Sequence, residues 1–139
     1  YRSGQATGAI FYAADSTSIT QLPIGTGDQF LGVTAGVPAY KTVPKVTRGT
    51  YTGNEISNRA IPHGLGVLPQ IVFILRDDGL IYFRITYTQA AIFYWKNGAL
   101  FGFVAVTAAT ATNFYVGNGA DWEGSANLLP QPYTWVAIG

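Results

Sequence analysis

Apolar and polar positions alternate along most of this chain. The alternation is interrupted at intervals by Gly, Pro, Asn and Asp, the pattern of half-buried strands separated by turns. No window keeps apolar residues at i, i+3, i+4 and i+7 with caps, so no helix is expected. Residues 1–45 offer short extended pieces, "AIFYA", "SITQL", "QFLGV" and "AYKTV", joined by "PIGTGD" and "TAGVP". They are short and rich in Gly, Thr and Ser, and are not expected to bury a core alone.

Residues 46–139 are denser. "KVTRGTYTG" alternates, and "QIVFIL" is apolar on both faces, which predicts a central strand covered on both sides. In "LIYFRITYT" the residues Ile81, Phe83, Ile85 and Tyr87 point one way, and Tyr82, Arg84, Thr86 and Thr88 the other. "RDDG" joins these two strands as a hairpin turn. "AIFYWKNGALFGFVAV" predicts a second hairpin with Asn97-Gly98 at its tip, and "ATNFYVG" and "YTWVAIG" supply further strands. About seven strands with turn signals every 8–12 residues predict an all-β antiparallel sandwich. The apolar pattern runs to the last residues, so the final strand is expected inside a sheet.

Composition sharpens this reading. Charged residues are 11% of the 139 positions, while 48% are hydrophobic and 14% aromatic. Soluble domains usually carry roughly 25% charge. Either neutral polar residues cover the surface, or part of it is buried against other copies of the chain; both are expected. The net charge of +1 gives no footprint for nucleic acid or an acidic membrane. No apolar run approaches the ~20 residues of a spanning helix. Cysteine is absent, so disulfides and thiol chemistry are excluded. The chain begins without methionine, with "YRSGQATGAIFYAADSTSITQ", which reads as the interior of a longer polypeptide, so a fragment is expected.

Candidate chemistry is sparse. His63, the one histidine, lies in "AIPHGLG". It has no G-x-S-x-G serine and no second histidine for a metal. Pro62, Gly64 and Gly66 instead mark a shaped connection; a ligand contact or a place on a three-fold axis is the other reading. Asp77-Asp78 is a carboxylate pair, but neighbours in a tight turn point apart into solvent. "GTG" at 25–27 is no phosphate loop, for no helix and no Lys-Ser/Thr follow. In "FYWKNG", either Tyr94 or the pair Phe93 and Trp95 faces outward, toward a partner subunit or a ligand. "ADWEG" sets Asp121 and Glu123 beside Trp122. An indole that stacks on a sugar ring, next to an acid that accepts hydroxyl protons, is a carbohydrate-binding arrangement; an ordinary loop with a buried anchor is the alternative.

"LPIGTGDQFLGVTAGVPAYKTV", Leu22–Val43, resembles a segment common in bacteriophage tail-fibre and other virion fibre proteins. "GTYTGNEISNRAIPHGLGVLPQIVFI", Gly49–Ile74, is similar to the opening of C-terminal β-domains on such fibres, and "TATNFYVGNG" and "YTWVAIG" resemble their closing strands. Glu55 and Ile56 depart from the small polar residues expected there. More loosely, the chain resembles small lectins that assemble as trimers of β-sandwiches. The resemblance implies a stem at 1–45 and a jelly-roll or lectin-like sandwich head at 46–139. It also implies a homotrimer on a virion, joined to the rest of the fibre. Such a protein attaches to host cells without catalysis, cofactor or metal, and three weak sites gain avidity together. The expected ligand is a cell-surface carbohydrate. Trp122 or Tyr94 would stack on it, and Asp121, Asn118, Asn113 or Arg84 would hydrogen-bond. A capsid-decorating or purely structural fibre is the alternative. A fibre-borne glycan hydrolase would need two carboxyls converging at roughly 5–10 Å, drawn from seven acids.

Overall fold

The computed structural model describes residues 8–27, 29–85, 90–96 and 98–139. Thr86, Tyr87, Thr88 and Asn97, assigned above to a strand and a hairpin tip, lie outside the described residues. The described part is all-β, with antiparallel pairing throughout and no helix. The chain divides into two units, Tyr1–Val43 and Pro44–Gly139.

The first unit holds two hairpins. Strand β1 (Ile10–Ala13) pairs with β2 (Ile19–Leu22), and β3 (Gln29–Thr34) with β4 (Val37–Thr42). Ala35 and Gly36, at φ 50° and 81°, form the tip of the second hairpin. Two successive left-handed residues match the right-handed twist of the flanking strands. No described residue of this unit is buried.

The second unit is built on a six-stranded sheet. Its strands are β5 (Val46–Thr52), β7 (Ile71–Arg76), β8 (Ile81–Ile85), β9 (Ala91–Lys96), β10 (Ala99–Ala105) and β12 (Pro132–Ile138), in the order β10-β9-β8-β7-β12-β5. The C-terminal strand thus lies inside the sheet, as its unbroken apolar pattern predicts. Lys45 and Gly139 exchange backbone hydrogen bonds and carry the β5–β12 ladder to the last residue. A two-stranded ribbon, β6 (Arg59–Pro62) with β11 (Asn113–Val116), supplies Ile61, Phe114 and Val116 to the core. These pack with the buried sheet residues Val72, Ile74, Tyr82, Ile92, Trp135 and Ala137. Phe114 meets Trp135 edge-on at 5.4 Å between centroids, a favoured aromatic geometry.

Tyrosines line one row of this core. Tyr51 stacks on Tyr133 at 4.9 Å, and Tyr82 lies 6.0 Å from both Tyr133 and Tyr94. Tyr51 donates to the Ala126 carbonyl at 2.6 Å, and the Tyr133 hydroxyl accepts from the Leu128 amide at 3.1 Å. These bonds satisfy the polar ends of buried rings.

His63 is a buried connector. Its Nδ1 accepts from the Leu65 amide at 3.2 Å, and its Nε2 lies 3.1 Å from the Thr110 carbonyl. Those partners assign the proton to Nε2. Gly64 and Gly66, at φ 69° and 75°, take the chain around it. The imidazole serves the turn.

The face of the sheet turned from this core corrects one expectation. β7 is central, but within the chain it is covered on one side only: Val72 and Ile74 are buried, while Phe73 and Leu75 are exposed. In β8 the apolar residues Ile81 and Phe83 point outward, and Tyr82 and Arg84 fill the core. In β9, Tyr94 is inward and Phe93 with Trp95 outward.

Candidate functional site

The loop from Gly117 to Leu128 carries Asn118, Asp121 and Trp122, and the sequence explains its shape. Short polar side chains hydrogen-bond to nearby backbone and so replace sheet pairing with turns. Asn118 Oδ1 accepts from the Ala120 amide at 2.9 Å, and its Nδ2 donates to the Ala105 carbonyl at 2.7 Å. Asp121 Oδ1 accepts from the Gly124 amide at 2.8 Å. The buried Ser125 hydroxyl donates to the Asp121 carbonyl at 2.5 Å and accepts from the Asn118 amide at 2.8 Å.

Asn127 fastens this loop to residues 53–58. Its Nδ2 donates to Asn54 Oδ1 at 3.0 Å and to the Ile56 carbonyl at 2.9 Å. Its Oδ1 accepts from the Asn54 amide at 3.2 Å, and its carbonyl from the Glu55 amide at 3.0 Å. Two glycines allow the close approach. A Cβ at Gly53 would press on the Leu128 carbonyl, and one at Gly117 (φ 87°) on that of Ile56.

On this frame Asp121 and Trp122 are half-buried. The Trp122 ring and the Ser57 hydroxyl both flank Gly119. The loop therefore holds a half-buried indole and, one residue before it, a half-buried carboxylate, fixed by bonds that leave little to order on binding. Asn113 belongs to a different turn, where its Nδ2 donates to Thr112 Oγ1 at 3.0 Å and its amide to Thr110 Oγ1 at 3.0 Å. Tyr94 and Arg84 are core residues: Tyr94 is 7% exposed and Arg84 1%. The Arg84 guanidinium donates to the Thr107 and Tyr115 carbonyls at 2.5 and 3.2 Å. Neither side chain is available to a ligand on this surface. Period-two alternation shows which residues share a face, but not which face turns inward.

Glu123, on the same loop, enters an ionic chain that sequence spacing does not reveal. Arg76 donates to Asp78 through Nε at 2.8 Å and Nη2 at 2.6 Å, and to Glu123 Oε1 at 3.0 Å. Lys96 reaches Glu123 Oε2 at 3.2 Å. Asp78 is exposed, as expected of a turn carboxylate, and is also tied back to its own hairpin. Hydrogen bonds from Arg76 hold the Asp78 carboxyl below its ordinary value. Burial pushes Glu123 up, but hydrogen bonds from Arg76 and Lys96 outweigh it and leave it lowered. A glycosidase general acid needs the opposite shift. Burial, with Asp121 and Glu123 nearby, raises the Tyr94 phenol. Among the described residues, no three His, Asp or Glu side chains converge as metal ligands.

Depressed carboxylates stabilise the fold above their unfolded values and lose that contribution as pH falls through the lower folded ones. Melting temperature should therefore hold from pH 7 to about 5 and fall below about pH 4.5. Arg76→Met should flatten that fall. Circular-dichroism melts from pH 7 to 2 check this; equal slopes for both proteins would contradict it.

Comparison with family models, with characterised proteins and with solved structures finds no match to this chain.

Proposed function

We propose that this chain is an attachment module of a virion fibre or spike, located on the virion and joined to the rest of the fibre. Residues 46–139 form its β-sandwich head, of jelly-roll or lectin-like type, and residues 1–45 its stem. The module binds a host cell-surface carbohydrate and does not catalyse. The observation that carries the reading is the Gly117–Leu128 loop, where a half-exposed Trp122 sits beside Asp121 on a frame of internal hydrogen bonds. A preformed apolar ring with an adjacent acceptor suits a sugar, whose rings offer both C–H faces and hydroxyl donors.

Self-association as a homotrimer completes the reading. The hairpins of the first unit bury no residue within one chain, so partner strands from other copies would give them the core they lack. Three copies would also multiply a weak site.

One observation favours the alternative of a structural fibre without a specific receptor. Both polar ends of the Asn118 side chain are bonded, to the Ala120 amide and the Ala105 carbonyl, and Asn113 Nδ2 donates to Thr112 Oγ1, which leaves less hydroxyl-binding capacity at the surface.

Glycan-array and host-cell binding with Trp122→Ala separate the two. The glycan reading expects at least a tenfold loss of binding with an unchanged circular-dichroism spectrum. Unchanged binding removes Trp122 from the site, and no binding by the unsubstituted chain supports the structural role.

A further inference from the structure

The outer face of the six-stranded sheet is its most apolar surface. Phe73, Phe83, Phe93 and Phe103 recur every ten residues. The register sets them side by side: Phe73 opposite Phe83, Phe83 opposite Phe93, and Phe93 opposite Phe103. The row continues through Val136 to Arg48. Phe83 and Phe93 stack at 5.1 Å, Phe83 meets Trp95 at 4.7 Å, and Phe93 meets Phe103 at 6.1 Å. Ile81 and Leu75 lie beside this ladder, opposite each other and next to Trp95. Phe103 is 69% exposed, and Val46, Leu75 and Ile81 are exposed as well.

Aromatic stacking across three strands does not explain why these faces remain in water. Cross-strand pairs stabilise a sheet whichever side they occupy. Here the polar inward residues of β8, Tyr82 and Arg84, are buried, and its apolar outward ones are not. Water contact along such a row is unfavourable by the area left uncovered.

We propose that this face is the contact between copies of the chain, closing with its aromatic ladder against neighbouring copies around the assembly axis. Three features select a copy as the occupant. The face bears one charge among the described residues of its strands, Arg48, and no acid, so a charged protein partner finds no complement there. A lipid surface would be met by a rim of basic residues, and Arg48 stands alone. The size also fits. Six strands about 4.8 Å apart and about 20 Å long project a face of roughly 500–600 Å², comparable with the ~800 Å² of accessible surface each partner gives to a standard interface. Closed symmetry then repeats the same patch in every copy.

The inference rests on the self-association put forward under the proposed function, and adds where the copies meet. Light scattering on the purified chain and on Phe93→Glu, Phe103→Glu and Phe103→Thr tests it. The unsubstituted chain should show three times the 14.9 kDa of one chain. Both glutamate variants should fall threefold in mass while keeping the circular-dichroism spectrum. Phe103 is on the edge strand and largely exposed, so its replacement leaves one chain's core intact. Phe103→Thr, with a residue suited to exposed strands, decides the matter should a glutamate unfold the protein. Variants that keep the threefold mass overturn this face as the contact and leave self-association standing. An unsubstituted chain of single mass overturns both.

Discussion

Asn127→Ala should cost the second unit about 3–5 kcal/mol, among the largest effects of any single truncation here. The side chain is fully buried. Its amide group donates to Asn54 Oδ1 and the Ile56 carbonyl, and its oxygen accepts from the Asn54 amide. Alanine removes these bonds from the Ile56 carbonyl and the Asn54 amide, while Asn54 Oδ1 keeps the Ile56 amide, and each unsatisfied buried group costs about 1–3 kcal/mol. The loss would not stay local. Asn127 joins the 53–58 segment to the loop that carries Trp122, so its removal should also weaken any binding through that loop. Asn54→Ala, which removes one partner and leaves Asn127 in place, should cost about 1 kcal/mol. Urea unfolding followed by circular dichroism measures both. A cost under 1 kcal/mol for Asn127→Ala would show that the loop is held by other means.

Arg84 should divide two substitutions sharply. It is a buried cation whose protons go to the Thr107 and Tyr115 carbonyls. Burial pulls the guanidinium down to about 10, so it stays charged at neutral pH and bears a desolvation cost. Arg84→Ala opens a cavity and abandons both carbonyls, for an expected loss of about 3–5 kcal/mol. Arg84→Met keeps much of the stem's packing and removes the buried charge, so its cost should be less than half as large. The same urea titrations measure it. Equal costs for Ala and Met would mean that the charge–carbonyl bonds, rather than the packing, hold the strand ends together.

Much of the architecture was legible in the chain. The hairpin at "RDDG" forms, with the Arg76 amide bonded to the Leu80 carbonyl and Gly79 at φ 89°. The inner place of the last strand follows from its uninterrupted apolar pattern. β6 was harder to see, because four residues ending in Pro62 resemble a turn until β11 pairs with them. The inward choice in β8 and β9 was not legible either. Ile81 and Phe83 look like core residues, and Tyr82 and Arg84 like surface. The structure reverses them: Tyr82 packs against the rings of Tyr94 and Tyr133, and the Tyr115 and Thr107 carbonyls accept from Nη1 and Nη2 of Arg84. The ten-residue recurrence of phenylalanine is visible in the sequence, but only strand register turns it into a ladder. Of the site, the turn-forming Asn and Asp residues marked the loop. The partners of Asn127, more than seventy residues away, left no local sign.

The proposed assembly closes the sheet's uncovered aromatic face against other copies. A dilution series of the unsubstituted chain, followed by light scattering, tests this most directly. The expected mass is three times the 14.9 kDa of one chain, persisting on dilution. A mass of one chain at every concentration would contradict it.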